Sequence, residues 1–561
     1  MGAEKDDMPD HIDNGNNDTD TQIATKEEIP PTDGNQLQRR LSYRQVQIMA
    51  MGGSIGTALF INIGSALAKG GPLSTLLAFI FYSCILSCVN NCIAEMTVLH
   101  PAPGGFIRMA GKWVDDAFGF MAGWNFFIYE ALTVPFEITA LTMTLGFWRD
   151  DIPAGAVCAA CIVTYSCLSI FAVKVYGEAE FWGSSSKILL IIILFSFTFV
   201  SMVGGNPQHD AFGFRHWRDP GPMAEYVTKG YLGRFEGFLG AFWIASFTTV
   251  GPEYVTLIAA EVKHPRTYVK KAFQTIFFRF GFFFILGAIA VGILVPYNDK
   301  ALVAAFITNT TDGTSSSGSP FIIAMRNLGV SGLPHLVNAL LVTTIFSARN
   351  TYMYCATRSL YGLSLEGRAP RILQKCTKQG VPIYCVLITM LFPLLSLMQL
   401  GNSSSQALAW LTNILTAGGL INYFTMAVTY LFFYRACKVQ GVDRSKFPYF
   451  GYFQPYTAWI GVIGEGCVIL FFGYESFRPW NLTSFFTNYT LVVFAIITFT
   501  SWKLLHQTKL VKPTEADLVW ERPIVDSYER STLSKPQGFW AEMFEWIGLK
   551  QEVEEGFRPA V

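Results

Sequence analysis

Glu95, Glu130, Glu137, Lys187 and Glu253 all stand inside long apolar runs. A charge within a bilayer costs at least a few kcal/mol, so each of these needs a partner or a role. Glu130 and Glu137 are seven residues apart, close to two helical turns, and face one side of a helix. Glu130 falls near the middle of its run and Glu137 further out. Such a carboxylate can accept a proton, because low dielectric disfavours its charge; the alternative is a permanent salt bridge to another helix. Lys187 begins its run near the inner face, where a desolvated lysine can carry a coupling proton or simply snorkel. Glu95, near the inner end of another run, has the same two readings. Glu253 reads as a site or gate residue, and Glu261 as a helix-end partner for Lys263 or Arg266. Arg349 is buried and is expected to pair with a glutamate.

Two glycine-rich interruptions provide the second kind of chemistry. One is Gly52-Gly53-Ser54-Ile55-Gly56; the other runs from Ser246 through Phe247, Thr248, Thr249, Val250, Gly251 and Pro252 to Glu253. Glycine and proline are poor helix formers, and proline removes a backbone donor. Backbone freed this way is tolerated in a membrane only where it lines a polar cavity or binds something. Freed N–H groups at a half-helix start suit a carboxylate, and freed carbonyls suit an ammonium group. Together the breaks can hold both ends of a zwitterion. Gly52 and Gly56 also fit a close helix-packing motif.

The elements that must position these residues are membrane helices. The chain has 561 residues, 51% hydrophobic and 15% charged, against ~25% charged in soluble domains. Its apolar residues fall in blocks long enough to cross a bilayer. About twelve spans are read on length and hydropathy: near 46–68, 73–98, 118–147, 153–173, 183–204, 237–260, 275–296, 333–362, 382–400, 405–434, 454–474 and 485–505. The breaks then fall in the first span and in the sixth. The sixth is the first of a second set of five, and such a matched pair points to a transporter's binding site.

Basic residues orient the set. Arg39, Arg40 and Arg44, then Lys263, Arg266, Lys270 and Lys271, then Arg358, Arg368, Arg371, Lys375 and Lys378, and finally Arg435, Lys438, Arg444 and Lys446 share one side if the N-terminus is inside. The basic loop near 205–236 is the exception. Sequons at Asn309, Asn402, Asn481 and Asn488 land on the other side; one at Asn17 does not. The expected organisation is a disordered, acidic cytosolic tail (1–41), a membrane domain (42–505) and a cytosolic tail (506–561) with an amphipathic helix, both termini being cytosolic. Phe539, Trp540, Met543, Phe544 and Ile547 form that helix's apolar face. Zero net charge implies no attraction to nucleic acid. Cys84, Cys88 and Cys92 form one helical stripe, read as a helix contact rather than a metal site, and no catalytic constellation is present. The chain is expected to be no enzyme and to need no cofactor or metal.

Several segments resemble the fungal amino-acid permeases of the amino acid–polyamine–organocation superfamily. They are Met51-Gly-Gly-Ser-Ile-Gly-Thr-Ala-Leu-Phe60, Ala94-Glu-Met96, Phe120-Met-Ala-Gly-Trp-Asn-Phe126, Val134-Pro-Phe-Glu-Ile-Thr-Ala140, Gly251-Pro-Glu253 and Ala259-Ala-Glu-Val-Lys-His-Pro-Arg266. The run from Phe106 to Phe118 looks closest to the carnitine- and polyamine-related branch. The resemblance implies an all-α fold of two inverted five-helix repeats, LeuT-like, plus two extra helices. It implies proton-driven uptake of amino acids, carnitine or polyamines at the plasma membrane. It carries the substrate carboxylate onto Ser54, Ile55 and Gly56 and the amino group onto carbonyls near Ser246–Thr249. It makes Lys187 an ionic stand-in for a sodium site, matches Glu95 and Glu137 to common acidic positions, and suggests ubiquitin-ligase adaptors as partners of the tails, with Lys5 and Lys26 as acceptors. Ala58, Pro252 and Arg349 depart from the family pattern and leave the substrate open. The rival expectations are a nutrient sensor of the same fold with little flux and a passive channel.

Overall fold

The computed structural model describes residues 39, 41–149, 151–171, 176–308, 318–377, 381–401, 404–477, 479–531, 536 and 538–546. The acidic head with Asn17, Lys5 and Lys26, and also Arg40, Asn309, Lys378, Asn402 and Ile547, lie outside the described residues. For Gly53 and Ser54 only the backbone is described.

Helix α1 (Tyr43–Ser54) starts at a capping box in which the Ser42 hydroxyl and the Gln45 side chain each accept the other residue's N–H. It stops at Ile55, and the chain resumes as α2 (Thr57–Phe60) and then α3 (Ile63–Leu99). Inside α3, Gly71 has φ +74° and is followed by Pro72. The expected first span is therefore α1, α2 and the head of α3, and the second begins at the Gly71 kink. A β-carbon on Gly71 would also come within 2.7 Å of the Ala224 nitrogen, so the position needs glycine on two counts.

Next come α4 (Gly105–Trp113), α5 (Asp116–Leu145), α6 (Ala154–Phe171), α7 (Tyr176–Met202) and the short α8 (Arg215–Arg218). The Asp115 carboxylate caps α5 by accepting the Ala117 N–H at 3.0 Å. The second break separates α9 (Gly230–Thr248) from α10 (Pro252–Ile258). Helix α11 (Pro265–Arg279) continues through a π-helical turn (Phe280–Ile285) into α12 (Leu286–Leu294). After α13 (Lys300–Val303) and α14 (Pro320–Asn327) come α15 (Leu333–Leu365), α16 (Ile383–Thr389), α17 (Ser404–Val439), α18 (Tyr456–Phe471) and α19 (Leu482–His506). The C-terminal segment adds α20 (Arg522–Ser531) and α21 (Phe539–Trp546).

Among the described residues, 8 helices are long and apolar enough to cross a membrane, and the only strand-like pairing is isolated bridges. Two of the remaining expected spans are broken, α15 carries Arg349, Arg358 and several hydroxyls, and α6 is an uncharged helix whose side chains are described only as far as Ser166. Helix α5 packs against α15 and α17, α3 against α9, and α1 against α7 and α15, so the broken helices and α5 share one interior.

Two expectations need correction, at the start of α11 and at Asn488, and two others gain detail. Arg266, Lys270 and Lys271 lie in α11, which begins ten residues before the expected seventh span. Asn488 is buried within α19 and donates to Ser476 Oγ at 3.0 Å, so this sequon is not free for glycosylation. The basic residues of 205–236 are offset locally: Arg215 pairs with Asp210 at 2.7 Å and Arg234 with Glu225 at 3.8 Å. The Cys stripe grades from exposed Cys84 to buried Cys92, and no group of metal-ligating residues occurs among the described residues.

The C-terminal segment packs on the helical core. Trp113 Nε1 donates to the Asp517 carbonyl at 3.0 Å, Arg108 pairs with Glu521 at 2.7 Å, and Arg266 pairs with Asp526. Glu542 of α21 accepts the N–H groups of Tyr43 at 3.0 Å and Arg44 at 2.7 Å. Those are two of the donors that the start of α1 leaves unpaired.

Candidate functional site at the paired helix breaks

At the first break, Ile55 turns the chain out of the helix (φ −102°, ψ 89°) and Gly56 is extended (φ −107°, ψ −177°). The last carbonyls of α1 thereby lose their intrahelical partners. One of them, Gly52 O, receives Lys187 Nζ at 2.8 Å. Lys187 lies on α7 and is fully buried, so the broken backbone supplies its polar partner. On the other side of the break, the Thr57 hydroxyl donates to Glu137 Oε2. Glu137 and Lys187 are electrostatic neighbours, and Glu137 Oε1 would lie 3.9 Å from a β-carbon on Gly56. Tyr352 of α15 closes this region: a β-carbon on Gly56 would lie 2.7 Å from its hydroxyl.

At the second break, α9 ends at Thr248 and α10 restarts at Pro252, with proline in the first turn, where its missing N–H is harmless. Glu253 folds back on that restart. Its Oε2 accepts the Gly251 N–H at 3.1 Å and its Oε1 accepts the Tyr423 hydroxyl at 2.8 Å. The Ser246 and Thr248 hydroxyls are occupied by the carbonyls of Trp243 (2.8 Å) and Ile244 (2.7 Å). What they leave at the break is backbone, together with the buried Thr249 hydroxyl, which has no hydrogen-bond partner among the described residues. Phe247 is buried and meets Phe136 edge-on, with centroids 5.4 Å apart. The segments that carry the breaks are also joined just before α1 and just after α10, since Leu41 N donates to Glu261 O at 2.9 Å and Lys263 N to Leu41 O at 3.0 Å.

Comparison with known proteins gives the family. The family model for amino acid permeases matches residues 45–513. A general amino acid permease of Saccharomyces cerevisiae is 42% identical over 504 residues, covering 88% of this chain and 84% of that protein. The dicarboxylic amino acid permease of the same yeast is 32% identical over 511 residues, covering 90% and 83%. A proline-specific permease of Emericella nidulans is 33% identical over 513 residues, covering 91% and 92%. The chain belongs to the amino acid permease family. It is a multi-pass membrane transporter and not an enzyme.

Within this permease the expected charged residues do not form one group. Glu130 and Glu253 are neighbours beside the second break, and Glu137 and Lys187 flank the first. Glu95 stands in a different network. It is fully buried and accepts Arg444 Nε and Nη2 at 2.7 Å each, the Tyr430 hydroxyl at 2.8 Å and the Gly451 N–H at 2.8 Å. Its described partners lie at the end of α17 and in the connection to α18, so it clamps that connection instead of snorkelling. Glu261 is bound across the bundle, by the Tyr354 hydroxyl and by Arg358 at 3.6 Å, not by Lys263 or Arg266. The described contacts of Arg349 are with Tyr165: its guanidinium lies 3.8 Å from the ring centroid and Nη2 donates to the carbonyl at 3.0 Å.

Sequence reasoning missed the aromatic lining. Tyr129, Tyr254, Tyr352 and Tyr423 all adjoin the breaks, yet as tyrosines in apolar runs they look like ordinary core. Glu465 was legible as a charge within the expected eleventh span; it is fully buried and accepts the Tyr82 hydroxyl at 3.3 Å.

Proposed function

We propose that this permease carries out proton-coupled secondary active transport of amino acids or related small amines, carnitine and polyamines included, across the plasma membrane. The substrate's carboxylate meets backbone at Ser54, Ile55 and Gly56, and its ammonium group meets carbonyls at Ser246–Thr249. The chain forms twelve spans, built as two inverted five-helix repeats and two extra helices, with both termini cytosolic and ubiquitin-ligase adaptors as partners of the tails. The supporting observation is the Lys187 ammonium on the Gly52 carbonyl beside Glu137. It sets a titratable pair directly against the broken helix, so protonation and helix position are coupled through one hydrogen bond. Named relatives carry proline, dicarboxylic amino acids, lysine and arginine, so the substrate side chain is the open variable.

The test is uptake of labelled amino acids, carnitine and spermidine by cells expressing the permease, with and without a proton uncoupler. Accumulation above the external concentration that collapses with the uncoupler is expected. Saturable binding without accumulation would replace transport by sensing, and flux that never exceeds equilibrium would replace it by a passive pore.

A further inference from the structure

Glu130 sits at the middle of α5 with no exposed surface, and neither of its carboxyl oxygens has a hydrogen-bond partner among the described residues. The other acidic residues of the region are served: Glu137 by Thr57, Glu253 by Tyr423 and the Gly251 N–H. The charged neighbour of Glu130 is Glu253, which has the same sign. Cations elsewhere among the packed helices have partners of their own: Lys187 binds the Gly52 carbonyl, Arg349 the Tyr165 ring and carbonyl, Arg358 Glu261, and Arg444 Glu95. Protonation alone does not satisfy the group, because a neutral carboxyl carries an O–H donor that needs an acceptor, and none is described.

The surroundings suit an organic cation. Tyr129, Tyr254 and Tyr352 are all electrostatic neighbours of Glu130. The rings of Tyr254 and Tyr352 lie 6.1 Å apart. Aromatic faces beside a carboxylate attract alkylammonium and guanidinium groups. Tyr352 also abuts Gly56 at the first break and Tyr254 follows the second, so Glu130 borders the region between the breaks.

We infer that Glu130 is a specificity-determining residue that receives a positively charged group of the transported molecule, separate from the amino acid head held at the breaks. The inference rests on the transport reading above and deepens it: the favoured substrates carry an extra alkylammonium or guanidinium group.

Lysine and norleucine test this directly, since they have the same chain length and differ by one ammonium. In wild-type full-length protein, lysine should outcompete norleucine about tenfold or more, the size expected of one charge-assisted hydrogen bond. The Glu130→Gln variant should lower the lysine-to-norleucine ratio of kcat/KM by a similar factor, mainly through KM, and Glu130→Asp should restore most of it. Parity of the two ligands on the wild type would overturn the inference, whatever the variants do. So would a Glu130→Gln protein that loses both substrates equally and whose uptake no longer depends on external pH, because Glu130 would then carry the coupling proton. Binding to purified protein separates the two readings. Selective lysine binding without uptake would refute transport while supporting the role of Glu130; uptake without lysine selectivity would do the reverse.

Discussion

The close approach of Gly56 to Tyr352 lends itself to a quantitative test. Gly56 has an extended backbone that alanine adopts freely, so Gly56→Ala introduces no backbone strain. It introduces a β-carbon 2.7 Å from the Tyr352 hydroxyl oxygen. Ordinary contact begins near ~3.5 Å, so the phenol must retreat by about 0.8 Å between two packed helices. Overpacking of this kind costs about 1–3 kcal/mol, which corresponds to roughly a five- to 150-fold loss if it falls on the transport-competent state. The assay is uptake per molecule at the cell surface, with surface protein counted by labelling. The decisive comparison repeats the substitution in a Tyr352→Phe background, where the oxygen in the way is gone. There Gly56→Ala should cost only a few-fold, a coupling that a double-mutant cycle reads directly. Equal losses in both backgrounds, or no loss with Tyr352 intact, would refute the assignment of the Gly56 requirement to this contact.

The Glu95–Arg444 clamp should matter for stability more than for chemistry: Arg444→Ala leaves a buried carboxylate without its cation and should destabilise the solubilised protein by about 3–5 kcal/mol, read as a lowered Tm. His100, just past the end of α3, is held neutral because burial, with Arg522 nearby, pushes its pKa down to about 4. A folded-state pKa below the ordinary ~6.5 means this contribution is present above that value and is lost as pH falls toward about 4, up to about 3 kcal/mol. Limited proteolysis of the C-terminal segment, whose Trp520 lies against the His100 ring, should therefore speed up over that window, and His100→Phe should flatten the response. Glu542→Ala removes the acceptor of two N–H groups at the start of α1 and should weaken that end by about 0.5–2 kcal/mol, detected as faster amide exchange at Tyr43 and Arg44.

Most of the helical layout was legible because membrane insertion writes itself into local composition. Long apolar runs and the glycine and proline interruptions are properties of contiguous residues, and the structure breaks at Ile55–Gly56 and at Thr249–Gly251, where those residues stand. The reversal at Gly71 was less legible. An apolar stretch continues through it, and only the positive φ and the approach of Ala224 mark the turn. The start of α11 was misplaced because its first turns carry Arg266, Lys270 and Lys271; hydropathy reports where a helix meets apolar surroundings, not where its hydrogen bonds begin.

Charge partners were beyond the sequence. Its residues alone put Glu95, Glu130, Glu137, Lys187 and Glu253 inside apolar segments and required that each be accounted for. Only the tertiary structure decided that Glu95 meets Arg444, that Glu261 meets Arg358, that Lys187 reaches the Gly52 carbonyl, and that Glu130 meets no described donor. The physical reason is range. Hydropathy and helix breaking act through neighbours along the chain, whereas a buried charge is satisfied by whichever helix packs across from it, often hundreds of residues away.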